Sequence, residues 1–396
     1  MRRPSLELRV TSEMPQEIWN AAIEAIQAGG GSPSLYNEAG YQRALERLFP
    51  EIPKEDRLCF AGGGCTETML AGMSNVGSLD AGINVALIFD RFMRDALPSA
   101  CCFEGFYQEF IGRCRVQTEK VLDAVSESQK RRAQFRPNPM RTLLIDDCID
   151  RERDFNDGGA RYRWSVINLA GMINVLDSLL VIRQLVFTEH RMSGTELLQR
   201  LDSGETFLFD RKIPRHGTDS TEANDMAKRL SEDLLRAFEG KVPYAGGRFL
   251  PSSIQFTTYT EAGRAVGATP DGRGKGAPLC DCIGAVHGND RSGATALLNS
   301  AASLCQEQMA GTPVLNIRLE APQVEKSLKA LVEGYFEKGG MQMQVTCVKK
   351  EELLDAKRNP DKYPNLVVRI GGYSEYFNRL SPQLQQTVID RTIFDN

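Results

Sequence analysis

The sequence predicts an α/β protein with largely parallel strand pairing, and three observations carry that reading. A strand-like alternation at Ser5 to Val10 runs into an amphipathic helix at the start of the chain. The same strand–helix alternation returns in the C-terminal part, from Val314 onward. Between them, Ser165 to Phe187 is apolar on almost every side, as an element buried under other layers must be. Strands and helices that alternate along the chain build sheets with helices packed on them.

Taken in order, Ser5 to Val10 alternates apolar and polar residues, the pattern of a half-buried strand. Pro15 opens a helix, where its missing N–H costs little, and Ile18, Trp19, Ala22 and Ile26 form the apolar face. The run Gly29 to Pro33 stops it. Tyr41 to Leu48 reads as a short helix and Pro53 to Asp56 as a polar turn. A helix is predicted from Ala81 to about Leu97, with Ile83, Leu87 and Ile88 among its apolar residues and Pro98 breaking it. Residues 103–135 read as one or two amphipathic helices with Phe106, Phe110, Val121 and Val125 buried. Residues 141–149 fit a strand or a short helix, and Asp154 to Arg163 a charged loop.

Ser165 to Phe187 is predicted as one buried helix, with Gly171 and its β-branched residues as the observations against it. Ser193 or Thr195 caps the next helix, and Glu222 to Phe238 is amphipathic. Residues 241–294 are glycine-rich loop with a strand at Ser253 to Tyr259. Then follow a helix (Ala294 to Cys305), a strand (Val314 to Leu319), a helix (Val324 to Gly334) and a strand (Gln344 to Val348). A helix (Glu351 to Arg358), a strand (Val367 to Ile370) and a closing helix (Pro382 to Ile393) complete the chain.

Composition narrows the function classes. The 396 residues suffice for one large or two ordinary domains with a proper core. A net charge of −4 without a long basic run points away from nucleic acid and from anionic membranes as partners. Lys130-Arg131-Arg132 reads as a solvated helix face. Met1-Arg2-Arg3-Pro4 lacks the apolar core of a signal peptide, no apolar run is long enough to span a bilayer, and a cytoplasmic location is expected. The ten cysteines include no Cys-x-x-Cys pair and read as free thiols. His190, His216 and His287 are too scattered for a histidine-rich metal centre, and no bound metal or cofactor is expected.

Two stretches carry chemistry. In the first, Gly62-Gly63-Gly64-Cys65-Thr66-Glu67, glycines let the backbone run close to its surroundings, and a cysteine stands two residues from a carboxylate that can serve as a base. Alone, such a cysteine is more often a buried, inert one. In the second, the strand Val367 to Ile370 leads into Gly371, Gly372 and Tyr373, which alone reads as a tight turn.

Together the two stretches resemble the glycyl radical enzymes, the pyruvate formate-lyase and diol dehydratase family. Arg369-Ile370-Gly371-Gly372-Tyr373 matches that family's C-terminal signature, and Gly64-Cys65-Thr66-Glu67 its Gly-Cys-x-Glu loop. Further matches in the same order lie at Pro33 to Glu38, at Asn174 to Leu180, at Thr269 to Leu279 and at Gly288 to Ala296. The resemblance implies a radical stored on Gly372, a thiyl radical at Cys65 and Glu67 as the base. It implies a radical S-adenosylmethionine activating enzyme as partner, a small hydroxylated substrate and anaerobic dehydratase or lyase chemistry. Pyruvate formate-lyase itself carries two adjacent cysteines in this loop. Here Gly64 and Thr66 flank Cys65, which argues against formate acetyltransferase activity.

The implied fold is half of the family's ten-stranded α/β barrel with helices outside: a barrel-like region over 1–325 holding the cysteine loop, and a glycine radical domain over 326–396. Family members are about twice as long, so a homodimer or a partner chain supplying the missing half is expected to cover the open edges. The alternative is a truncated, non-catalytic relative. Tyr373 and Tyr376 are expected to pack, and Asp80 to cap a helix.

Overall fold

The computed structural model describes residues 6–64, 66–75, 79–204, 212–286, 288–289, 291–371 and 373–390. Its backbone is a row of strands with most helices packed on one face and the helix Glu38–Leu48 packed with Trp164, Val166 and Leu250 on the other. Strands β1 (Glu7–Val10) and β2 (Ser34–Asn37) run parallel, joined by the helix Gln16–Gln27. Two hairpins carry the sequence motifs: β3 (Phe60–Gly63) with β4 (Glu67–Leu70), and β10 (Val367–Arg369) with β11 (Ser374–Tyr376). Strands β5 (Leu79–Asn84), β6 (Trp164–Ala170) and β7 (Arg248–Ser252) form a parallel sheet. Strands β8 (Asn316–Leu319) and β9 (Gln342–Cys347) are also parallel, and β9 pairs antiparallel with β2.

The two sheets meet at one seam. Ser253, just past β7, bridges Pro313, just before β8, in the parallel sense, with backbone bonds between Ser253 and both Thr312 and Val314. The order is therefore β5-β6-β7-β8-β9-β2-β1, five parallel strands followed by two of the opposite direction. This is the half-barrel α/β arrangement expected, extended by β2 and β1.

Side-chain alternation gives the row two faces. Leu35, Ile317, Leu319, Met343 and Val345 point into the main core with the helices Val85–Ala96, Phe103–Phe135, Met172–Ile182 and Ala321–Glu337. Their alternates Ser34, Tyr36, Gln342, Gln344 and Thr346 are also buried, so something must cover that second face. The two hairpins and the helix Glu38–Leu48 contribute to that cover: Tyr36 packs with Tyr41 and Phe60, and Ser34 and Gln344 bond Arg369.

Several expectations need correction. The predicted helix from Ala81 begins as strand β5, and the helix starts only at Val85, capped by Asn84. Ser165 to Phe187 is strand β6 followed by the helix Met172–Ile182. Gly171, at φ +79°, makes the break, and a continuous apolar run cannot by itself separate a buried strand from a buried helix. The strand expected at Ser253 to Tyr259 lies earlier, as β7, and Thr258–Arg264 is helical. Ile18 is exposed, Lys54–Arg57 is a helical turn, and Pro139–Leu144 settles the 141–149 region as short helix followed by turns. Asp80 is no helix cap: it lies inside β5 and accepts hydrogen bonds from Ser165, Gln129 and Arg132.

Candidate active site

The cysteine hairpin is closed by its glycines. Gly64 holds φ +64°, which a side chain rarely adopts, and Gly63 pairs with Glu67 across the turn. Glu67 is buried, and its carboxylate folds back over the turn. Its Oε2 accepts the Thr66 N–H at 3.0 Å and would lie 3.1 Å from a Cβ on Gly64. The predicted base thus lies against the backbone on either side of position 65. Cys65 itself falls outside the described residues.

The hairpin is tied to the seam between β7 and β8. Thr312 Oγ1 donates to the Thr66 carbonyl at 2.8 Å and accepts the Tyr41 hydroxyl at 3.0 Å. Thr68 Oγ1 donates to the Ala310 carbonyl, and Trp164 Nε1 donates to the Thr68 carbonyl at 2.9 Å. Thr312 is held at φ +98°, a strained conformation for a β-branched residue, and these bonds keep it there. Phe60 stacks on Tyr41 with ring centroids 4.2 Å apart.

The glycine hairpin approaches the same seam. The Ile370 N–H donates to the Tyr373 carbonyl at 2.9 Å, closing the turn that carries position 372; Gly372 itself falls outside the described residues. A Cβ on Gly371 would lie 2.9 Å from the Phe256 nitrogen, three residues past the Ser253 bridge. Arg369, 1% exposed, docks the hairpin on the row of strands. Its Nε donates to Gln344 Oε1 at 2.7 Å on β9 and its Nη2 to Ser34 Oγ at 2.7 Å on β2. Buried guanidinium bonds of this kind are costly to break, so the docking is firm.

Electrostatics link the two hairpins. Burial raises the pKa of the Glu7 carboxyl on β1, and the Gly62 N–H and the Arg369 charge pull it down, while Glu67 pushes it up. Burial likewise raises the Tyr36 hydroxyl, with Glu7, Arg369 and Glu67 all acting on it. Groups of both hairpins therefore bear on one carboxyl and one phenol.

Sequence reading located Glu67 and the two loops but missed Glu7, Ser34, Thr312 and Gln344. The one available signal was the polar half of the Ser5 to Val10 alternation, which a strand normally turns to water. Tyr376 packs under the Arg379 guanidinium, 4.7 Å from its ring centroid, and Tyr373 lines the small C-terminal core, as expected of packing residues. Among the described residues nine cysteines are free, no group of three or more His, Cys, Asp and Glu could hold a metal, and no helix is long and apolar enough to cross a membrane. Two cavities, of about 370 and 590 Å³, are lined by residues of neither hairpin.

Comparison with known proteins agrees with this geometry. Residues 1–263 match the family model "Pyruvate formate lyase-like" and residues 281–378 the model "Glycine radical". Trans-4-hydroxy-L-proline dehydratase of Clostridioides difficile is 28% identical over 98% of this chain and 52% of its own length. (2S)-3-sulfopropanediol dehydratase of Klebsiella oxytoca is 26% identical over 99% of this chain and 51% of its own. A solved structure describing 1,2-propanediol dehydration in Roseburia inulinivorans superposes with a TM-score of 0.93 at 27% identity, over 99% of this chain and 53% of that one. The chain thus spans about half the length of the curated relatives it matches.

Proposed function

The chain belongs to the glycyl radical enzymes, and from that premise we propose that it carries the radical half of a lyase that eliminates a leaving group from a small hydroxylated substrate. A radical S-adenosylmethionine enzyme removes a hydrogen atom from the Gly372 Cα. Glycine suits this because no side chain blocks a planar centre and both flanking peptide groups delocalise the electron. Gly372 then takes the hydrogen of the Cys65 thiol, and the thiyl radical takes one from a substrate carbon bearing a hydroxyl. Glu67 accepts the hydroxyl proton as the leaving group departs with its bonding electrons from the neighbouring carbon. The product radical recovers hydrogen from Cys65, which regains it from Gly372. Atoms balance: the substrate loses the leaving group and one proton, and the radical returns to Gly372.

The observation that carries this reading is that the two hairpins meet one seam. The Glu67 carboxylate lies across the turn around position 65, the Thr66 carbonyl is bonded by Thr312, and Gly371 packs against the Phe256 backbone. Loop tips that must exchange a hydrogen atom need this common support. Exclusion of water and oxygen completes the site, and a second chain or a second copy covering the strand edges supplies it. Location in the cytoplasm of an anaerobically grown cell fits that chemistry. We divide the chain by role into the barrel-like region 1–325 and the glycine radical region 326–396. β9 nonetheless pairs within the barrel sheet, so the division is one of function and not of separate folding.

Anaerobic activation followed by electron paramagnetic resonance tests the reading. The wild type should give a doublet from the single remaining Cα hydrogen, and Gly372→Ala should give none. Cys65→Ser and Glu67→Gln should keep the signal but lose turnover of small diols and hydroxy acids. A radical that persists in Gly372→Ala, or turnover that survives Glu67→Gln, overturns it.

A further inference from the structure

One rung of the β1–β2 ladder touches both hairpins. Glu7 and Ser34 are register partners. Glu7 Oε2 accepts the Gly62 N–H at 2.7 Å, gripping β3, and Oε1 accepts the Tyr36 hydroxyl at 3.5 Å. Ser34 Oγ, on the other side of the rung, accepts Arg369 Nη2 at 2.7 Å, gripping β10. Glycines stand where each hairpin comes closest. A Cβ on Gly62 would lie 2.3 and 2.5 Å from the two Glu7 oxygens. A Cβ on Gly31 would lie 2.8 Å from Ser374 Oγ and 3.3 Å from Arg369 Cβ, and Ser374 Oγ itself donates to the Gly30 carbonyl at 3.1 Å. A carboxylate suits this position because it accepts an edge N–H of one hairpin while its register partner Ser34 accepts the guanidinium of the other.

We propose that Glu7 is a positioning residue for hydrogen transfer, setting the cysteine hairpin in register with the glycine hairpin through the Glu7–Ser34 rung. Among the described residues it acts through the Gly62 N–H, and through its register partner Ser34 on Arg369. The proposal rests on the reading that Cys65 and Gly372 exchange a hydrogen atom, and it adds a cause for their alignment. The plain alternative is that Glu7 anchors β3 alone.

Two measurements separate these. The first needs no radical: amide hydrogen exchange of the resting chain, compared among wild type, Glu7→Leu and Glu7→Gln. Loss of the carboxylate should speed exchange about tenfold in peptides of both hairpins, 60–70 and 367–376, while β6 and β8 keep their protection. Glu7→Gln retains an acceptor for Gly62, so it should restore the cysteine hairpin more than the glycine hairpin, and it serves where Glu7→Leu does not fold. Faster exchange confined to 60–70 overturns the proposal.

The second measurement uses activated protein in D₂O. Thiol deuterium passed from Cys65 to Gly372 collapses the doublet to a single line. The collapse should be abolished in Cys65→Ser and slowed about tenfold or more in Glu7→Gln at unchanged radical yield. Equal rates in wild type and Glu7→Gln overturn the positioning role. A wild type whose doublet never forms, or collapses without Cys65, overturns the function reading instead, and hydrogen exchange then still decides whether Glu7 couples the hairpins.

Discussion

Gly371 has no room for a side chain, and the obstacle is backbone. A Cβ there would meet Phe256 N at 2.9 Å and Phe256 Cα at 3.1 Å, atoms that no rotamer change can move aside. Gly371→Ala should therefore push the glycine hairpin off the seam and destabilise the protein by about 1–3 kcal/mol. Denaturant unfolding checks this, and a midpoint equal to that of the wild type would mean the approach is looser than described. The same position shows what single residues disclose in sequence. The Gly-Gly pair was legible as a turn, and with Arg369 and Tyr373 as a family signature. That Gly371 is needed for contact with Phe256 was not legible, because the partner lies far back in the chain. Glu7 was hidden for the same reason: its strand looked amphipathic, but the polar face meets hairpins and not water.

At the scale of elements, β6 was missed because it is buried along its whole length. β6 and the helix Met172–Ile182 form one apolar run because both are buried on all sides, and burial on all sides erases the period that separates strand from helix. Gly171 was the visible clue: a Cβ there would lie 2.6 Å from Ala86 Cβ, so the turn also sets how closely that helix approaches its neighbour. The helix carries Asp177, whose Oδ1 accepts the His216 N–H at 2.8 Å. The His216 ring is buried, with Nε2 3.1 Å from the Ile283 carbonyl, which makes Nε2 the protonated nitrogen, and Nδ1 has no partner among the described residues. Burial pushes its pKa from 6.5 down to about 4. The neutral ring is the folded form, so its stabilisation is present above pH 6.5 and is lost as pH falls through 4. The full span is worth about 3 kcal/mol. Burial moves Asp177 the opposite way, up to about 7, so its contribution is present at low pH and is lost as pH rises through 7. The informative comparison is therefore between wild type and His216→Gln, whose amide can still donate to Ile283. The variant should be the less stable at pH 7, and the gap should close between pH 6.5 and 4. A gap independent of pH would show that His216 does not titrate in this window.

For the whole molecule, the order β5-β6-β7-β8-β9-β2-β1 leaves an unpaired edge at each end among the described residues. Five parallel strands with their main helical layer on one face form a half-barrel wall. β2 and β1 run the other way, as strands of a second, oppositely directed half would. Open edges are normally blunted or paired, and the chain spans about half the length of its curated relatives. Both facts fit the covering chain proposed above, whose strands would add at β5 and at β1 and close the wall around the hairpins. Hydrogen exchange then has a definite expected pattern. In the isolated monomer, amides of β1 and β5 exchange fast while those of β6, β8 and β9 are slow. On adding the covering chain, β1 and β5 slow toward the same level, and β3, β4, β10 and β11 follow because water leaves the face they occupy. Radical lifetime under trace oxygen should lengthen in parallel, since the same closure excludes oxygen along with water. If β1 and β5 are already as protected as β8 in a chain shown by sedimentation to be monomeric, its own residues cover the edges. These residues alone would then enclose the site.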